Sequence, residues 1–350
     1  MKAKWYEKVA QSHGDNFISS RVRLARNWEE YAFPNRLNPA QAGELIGRLQ
    51  YGLDDVETVE GNHFLTYAMD RVKEIDRLAF KERRLINAAV AESAAPIGLM
   101  VSEEEDVSIL LNGDDHIRTQ FLAPGMKLDE LWQRADRLDD YISGRFNYAY
   151  DEKYGYLTSY PTNVGTGMRA NAVVHLPMLS KTSEIRELIV GLEKFGVSIR
   201  GVYGNEKDNP GALYDISNTK TLGMSEKEII GLVIRIANQL NDREAQIRES
   251  ALERHFILKQ DEVFRAYGIL KYARTMKLNN ALSSLSLVRM GIADGLIELE
   301  DGENCSIYRL MIEVQPGNLL LKTDRPMDKN ELDVFRAEYL RNNLPKIKEA

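Results

Sequence analysis

Five arginines stand where the neighbouring side chains are small or glycine is close by. The segment 19–27 carries Arg21 and Arg23 two residues apart, on one face of any extended strand. Arg118 closes the run Asp114-Asp115-His116-Ile117-Arg118, Arg169 follows a loop containing Gly165 and Gly167, and Arg200 precedes Gly201. A guanidinium keeps its charge at any relevant pH, and its planar fork pairs two-to-two with phosphate oxygens. A cluster of such forks can hold a triphosphate and neutralise a phosphoryl group in transit without a P-loop. A single arginine of this kind more often only solvates a surface. Five in these settings, in a chain of net charge −7, point to an anion caught locally.

Other nucleotide and metal signatures fail. Gly317 with Lys322 and Thr323 lacks the second glycine of a P-loop. Gly165, Gly167 and Ala170 match a dinucleotide fingerprint, but a strand-like run follows where that motif needs a helix. No His-Glu-x-x-His motif is present among five histidines, and the lone Cys305 makes neither an internal disulfide nor a cysteine zinc site. With 43% hydrophobic and 28% charged residues, a 350-residue chain is neither disordered nor low in complexity. The acidic balance argues against direct nucleic-acid binding. No run of 18 apolar residues offers a membrane span, and the first residues lack the apolar core of a signal peptide. A cytoplasmic protein is the expectation.

Irregular alternation of strands and helices up to about residue 240 predicts an α+β fold with a mostly antiparallel sheet. Strands are expected at 16–25, 107–111, 157–160, 172–176 and 197–203. Asn38, Pro39 and Gln41 signal one helix start, Thr182-Ser183 another with Gly196 as its stop, and Ser225 with Glu228 a capping box. Beyond residue 240 helical patterns dominate: a charged stretch at 241–250, then 263–276, 280–291 and 328–343, interrupted by an acidic break at 297–304 and an apolar run at 307–314. The division expected is a domain of residues 1–245 and a smaller helix-rich domain of residues 246–350. Leu128, Leu131, Trp132 and Leu138 make a core stripe. Tyr148, Tyr150, Tyr154 and Tyr156 pack or pair across a strand and turn. His116 and His175 are open between a structural role and contact with adenine or phosphate.

Segment 19–27, Asn112–Arg118, Pro161–Arg169 and Tyr214–Asn218, together with 268–274 and 287–292, resemble the guanidino (phosphagen) kinase family, and within it the bacterial protein-arginine kinase branch. The resemblance runs in order over nearly the whole chain. It implies an antiparallel eight-stranded sheet flanked by helices, Mg2+ and ATP as donor, and a guanidinium as acceptor. The family's nucleotide-phosphate arginines fall on Arg21, Arg23, Arg118, Arg169 and Arg200, with Ser19 and His116 beside them. Mg2+ would be held mainly by nucleotide phosphates, with no protein metal site.

On the acceptor side the family's two catalytic glutamates fall on Asp114 and on Asp208 of the loop 204–211, and its cysteine before Pro161 is Tyr160. Two carboxylates suit this acceptor because they pair with a guanidinium, aim one nitrogen and accept its proton. Shortening each to Asp retracts it by about one C–C bond, and ~1 Å of misplacement costs on the order of 100-fold. Small-guanidine kinases carry a helical domain before the first arginine motif; here that motif begins at Ser19, which implies an acceptor pocket open enough for a protein side chain. Leu332, Asp333 and Arg336 match a phosphoarginine-binding motif whose first arginine is replaced by Leu332; an i, i+3 surface pair is the plain alternative. The reading is ATP-dependent phosphorylation of arginine side chains in proteins. Alternatives are a catalytically impaired, phosphoarginine-binding regulatory adaptor, and a small-guanidine kinase. Implied partners are arginine-bearing protein substrates, a small zinc-binding activator, Clp-type chaperone and protease machinery, and a second copy as homodimer.

Overall fold

Along residues 20–24 buried side chains alternate with half-buried ones, the pattern of an extended segment covered unequally on its two faces. In the computed structural model this run is part of strand β1 (Phe17–Arg26). The structure describes residues 2–9, 16–204, 208–300, 306–323 and 325–348; Cys305 and the loop residues 205–207 lie outside the described residues. β1 belongs to an eight-stranded antiparallel sheet with β2 (Phe64–Ala68), β3 (Gly98–Ser102), β4 (Val107–Leu111), β5 (Ile117–Pro124), β8 (Met168–His175), β9 (Val197–Gly201) and β10 (Leu213–Asn218). Its spatial order is β2-β3-β4-β5-β1-β8-β10-β9. A two-stranded hairpin, β6 (Tyr150–Asp151) and β7 (Gly155–Tyr156), stands apart. The expected α+β fold, an antiparallel sheet flanked by helices, is the fold observed.

Two compact units divide the chain: Met1–Trp5, Ser20–Ala172 and Ser217–Ile234 form one, and Tyr6–Ser19, Val173–Ile216 and Arg235–Ala350 the other. In the first, helix α1 (Pro39–Gly52) opens with the full capping box that Asn38 and Gln41 predict. Short helices α2 (Val56–Glu60), α3 (Glu74–Glu82) and α4 (Ala88–Glu92) follow, then α5 (Leu128–Ser143), which buries Leu128, Leu131, Ala135, Leu138 and Ile142 on one stripe. Trp132 is half-buried beside them.

The second unit holds α6 (Glu184–Glu193), most of the long helix α7 (Glu226–Tyr272), α8 (Leu278–Ala293), α9 (Ile307–Glu313), α10 (Pro316–Leu320) and α11 (Lys329–Asn343). The helical stretches expected at 241–250 and 263–276 fall on one helix, which stops at Tyr272, short of 276, and is broken only at His255, where φ −140° and ψ 36° leave helical geometry. The apolar run at 307–314 is helix α9, with Ile307, Tyr308, Leu310, Met311, Ile312 and Glu313 all buried. Burial on every side erases the periodicity that would have marked it as helical. Asp328 and Glu331 cap α11 reciprocally. Among the described residues no helix is long and apolar enough to cross a membrane.

One expected strand is absent. Residues 157–160 form no strand because side chains take up their backbone groups: Asn27 Nδ2 donates to the Leu157 carbonyl at 3.0 Å, and Ser159 N–H donates to Asp115 Oδ1 at 2.7 Å. Pro161 then starts a turn of 3-10 helix.

Candidate active site

Strand alternation decides where the arginines point. Helix α5 covers one face of the sheet: Arg26 on β1 reaches Asp139 of that helix at 2.8 Å, and Arg134 of the helix stacks over the Phe121 ring on β5. Residues one step out of phase with Arg26 and Phe121 face the other way. Arg21 and Arg23 on β1 and Arg118 on β5 are all out of phase, so the three share the face away from α5. Arg21 Nε donates to Asn171 Oδ1 on the neighbouring strand β8 at 3.4 Å, which puts Asn171, and Arg169 two residues before it, on the same face. Four of the arginines thus lie on one face of β5, β1 and β8. The Arg118 side chain is 12% exposed, and its Nε is buried with no hydrogen-bond partner among the described residues. Burial pulls its pKa down while Asp114 and Asp115 pull it back up.

The turn joining β4 to β5 builds the next feature. Asn112 adopts a left-handed φ of 58°, and its side chain donates to the Pro96 carbonyl at 2.8 Å. Asp115 is buried and accepts from Asn27 Nδ2 and from Ser159 N–H, each at 2.7 Å, while Asn27 Oδ1 accepts the His116 N–H at 2.9 Å. Held this way, the turn presents Asp114, 30% exposed, with Oδ2 at 3.8 Å from Arg118 Nη1 and 3.4 Å from Asn87 Nδ2. Asp114 lines a cavity of about 360 Å3 with Pro34, Ala89, Val90, Ile97 and Tyr160 among its other walls.

His116 does not serve a nucleotide. Its Nδ1 accepts the Trp28 N–H at 3.0 Å and its Nε2 meets the Ala32 carbonyl at 2.9 Å, so the proton sits on Nε2 and both nitrogens are committed to backbone. Burial depresses its pKa, offset in part by the Ala32 carbonyl and Asp115. The ligand role open in the sequence is therefore corrected to a structural one. Ser19 is buried in β1 at 2% exposed.

The glycine loop before Arg169 is a packing device. Gly167 has φ +61°, and a Cβ there would lie 2.6 Å from the Ala25 carbonyl oxygen; Gly165 has φ +113° and backs onto the Thr221 carbonyl. Arg26, 2% exposed, clasps the loop: Nη1 donates to Thr166 O at 2.9 Å, and its guanidinium lies 3.6 Å from the Tyr156 ring centroid. Reading the sequence for phosphate ligands passed over Arg26, Asn27, Asp115 and Asn87. The first three lie inside or beside the quoted motifs; nothing in the sequence marks Asn87.

In the second unit Arg200 is exposed on β9, its Nε donating to Ser198 Oγ at 3.1 Å. Asp208 is exposed and accepts from Asn279 Nδ2 at 3.4 Å. Arg336 is 2% exposed and turned inward: it donates to the Val314 carbonyl at 2.9 Å, to the Met276 carbonyl at 2.8 Å, and to Asp333. Two carbonyls and a carboxylate take up its Nε and Nη1. The two residues expected to grip phosphoarginine, Asp333 and Arg336, form an internal clasp that ties α11 to the ends of α9 and of the loop before α8. His175 is buried between Ser286 and Arg289.

The model of the ATP:guanido phosphotransferase C-terminal catalytic domain matches residues 53–247, and that of the protein-arginine kinase McsB C-terminal domain matches residues 258–350. The chain belongs to the ATP:guanido phosphotransferase family. It is 38% identical over 338 residues to a protein-arginine kinase of Caldanaerobacter subterraneus subsp. tengcongensis, covering 97% of this chain and 99% of that one. It is 37% identical over 331 residues to the protein-arginine kinase of Bacillus subtilis, covering 94% and 90%. Among solved structures, a lombricine kinase aligns with TM-score 0.58 at 22% identity over 72% of each chain. The duplicated taurocyamine kinase of Schistosoma mansoni aligns with TM-score 0.59 at 19% identity, over 97% of this chain and 44% of that one. At those identities the structural matches speak for the fold. A family member is a phosphotransferase. Asp114, Arg118, Arg169, Arg200 and Asp208 lie inside the catalytic-domain match, whereas Arg21 and Arg23 precede it.

Proposed function

We propose that the chain phosphorylates arginine side chains of proteins with ATP. The observation that carries this is the union of four arginines on one sheet face with Asp114 at the rim of a cavity, Arg118 touching both features. Arg118 is a buried cation with an unpartnered Nε, which fits a phosphate oxygen better than bulk water. Arg21, Arg23 and Arg169 would share the phosphate chain. Mg2+ bound with ATP would ride on the phosphate oxygens and spread charge between them. ATP as donor puts the reaction in the cytoplasm.

The cavity at Asp114 selects the acceptor. Among its described lining residues Asp114 is the one charged side chain, and Pro34, Ala89, Val90 and Ile97 give apolar wall. That wall suits the methylenes of an arginine. A free amino acid would bring an α-carboxylate that finds no cation there, whereas a peptide-linked arginine has none to satisfy. In the transfer a guanidinium nitrogen attacks the γ-phosphorus in line. A P–N bond forms, the bond from that phosphorus to the bridging oxygen breaks, ADP leaves with the electron pair, and Asp114 takes the guanidinium proton. Residues 1–245 would carry catalysis, and the separate model matches at 53–247 and 258–350 support that division.

Incubation with Mg-ATP and a protein acceptor, read by mass spectrometry for acid-labile phosphoarginine, tests the reading. Asp114→Asn should abolish the product and keep Mg-ATP affinity in calorimetry. Wild-type protein that binds Mg-ATP yet phosphorylates no protein, with or without added cell extract, would instead leave a regulatory adaptor.

A further inference from the structure

Helix α4 begins at Asn87, and the way it begins reaches the reacting groups. Asn87 Oδ1 accepts the Val90 N–H at 2.9 Å, the N-cap bond of that helix. The cap fixes which way the amide points, so Nδ2 must face away from the helix, and it donates to Asp114 Oδ2 at 3.4 Å. Serine, threonine or aspartate would cap the helix about as well. Asparagine alone among them caps while also carrying a spare N–H2 donor.

The mount is itself anchored. Gln120 lies on β5 two residues beyond Arg118, hence on the same face, and its Nε2 donates to the Arg84 carbonyl at 2.8 Å. Arg84 takes a left-handed φ of 69°, and Arg83 is pinned to Glu105 at 2.9 Å. The amide of Asn87 therefore occupies a defined place relative to β5 and its arginine. Both contacts to Asp114 fall on Oδ2, from Asn87 on one side and from Arg118 Nη1 at 3.8 Å on the other. Oδ1 is left for the acceptor.

We propose that Asn87 is a positioning residue for phosphoryl transfer: the helix cap holds its amide so that Nδ2 fixes Asp114 with Oδ1 turned to the guanidinium. A shortened carboxylate makes such fixing matter, because an aspartate must reach further than a glutamate from the same backbone. The inference rests on the reading of Asp114 as the acceptor's carboxylate.

Two variants in the full chain separate capping from positioning. Asn87→Asp and Asn87→Ser both keep a competent N-cap; the first sets a second carboxylate against Asp114, and the second removes the Nδ2 amide without adding charge, leaving only a shorter hydroxyl. Thermal midpoints should stay near wild type for both. With a protein acceptor, kcat should fall about 10-fold or more in Asn87→Asp and by a smaller factor in Asn87→Ser, the scale of one hydrogen bond to a charged group. Mg-ATP affinity by calorimetry should be unchanged in both. Wild-type kcat in both variants, or a raised KM for the protein at wild-type kcat, would overturn the positioning role. Asp114→Asn measured alongside tells the two failures apart. If it keeps wild-type activity, the acceptor assignment itself falls; if it is inactive while both Asn87 variants are normal, only the role of Asn87 falls.

Discussion

Arg118 and Asp114 face each other across the end of the turn between β4 and β5, Nη1 3.8 Å from Oδ2. At that separation the pair is an electrostatic neighbour and not a closed salt bridge, and a bidentate grip is left unmade. The guanidinium thus keeps donor capacity while the carboxylate holds its charge in place. One element positions both groups, so a displacement of the turn moves the phosphate ligand and the acceptor ligand together.

Arg118→Lys should weaken Mg-ATP binding even though it keeps the positive charge, because an ammonium cannot offer the planar fork. Arg169→Ala, which removes a whole cation from the same face, should cost about 1.5–3 kcal/mol, the range for hydrogen bonds to charged groups. Calorimetric titration with Mg-ATP reads both. Unchanged affinity in Arg169→Ala would remove that residue from the phosphate site.

Gly167→Ala tests the loop that leads into Arg169. The backbone there has φ +61°, and the added Cβ would sit 2.6 Å from both the Ala25 carbonyl oxygen and Arg26 Nη1. Strain of ~1–3 kcal/mol is expected from the backbone alone, with the Arg26 clasp disturbed as well. Thermal unfolding should shift downward, and Mg-ATP affinity should fall with it because Arg169 begins two residues later. A variant as stable and as tight as wild type would mean that the loop simply slides.

Much of this is legible in the sequence alone. Arg21 and Arg23 share a face because their spacing matches the strand period, and the Asn38 cap, the last helix at 328–343 and the Val107–Leu111 strand are where local signals put them. What could not be read was the allocation of polar groups by tertiary contact. His116 and Arg336 look like ligands in sequence, yet each is taken up by backbone carbonyls or N–H groups of segments far away in the chain. The segment 157–160 has strand composition, but Asn27 and Asp115 claim its backbone. Asn87 carries no sequence signal because its role depends on a cap and a carboxylate 27 residues apart meeting in space.

Arg336→Ala should damage the fold and not merely a surface. The side chain is 2% exposed and satisfies two carbonyls besides Asp333. Breaking a buried pair by removing one member typically costs about 3–5 kcal/mol, since the partner charge and carbonyls are left unpaired. Denaturant titration should show a lower midpoint, and a loss under 1 kcal/mol would argue that water enters and replaces the guanidinium.

Stability should fall on mild acidification, and His175 is one cause. The ring is fully buried; Arg289 Nη1 lies 3.0 Å from Nδ1, and since an arginine only donates, Nδ1 must hold a lone pair. The proton therefore sits on Nε2, which meets Ser286 Oγ at 2.7 Å. Burial first, then the charges of Arg289 and Arg248, hold the pKa well below the ordinary histidine value. In the unfolded chain the ring titrates normally, at about 6.5. Below that pH the unfolded state takes up a proton that the folded state refuses, so the stability present above pH ~6.5 drains away as pH falls, at up to about 1.4 kcal/mol per pH unit. His116, depressed mainly by burial, acts in the same direction. Glu244 acts in the opposite one, because burial raises its pKa and the folded carboxyl takes up its proton first. His175→Gln keeps an N–H for Ser286 and removes the titration. Denaturant midpoints measured from pH 7.5 to 5.5 should fall less steeply in that variant than in wild type, the remaining slope reflecting His116 offset by Glu244. Parallel slopes in the two proteins would show that His175 takes up its proton in the fold after all.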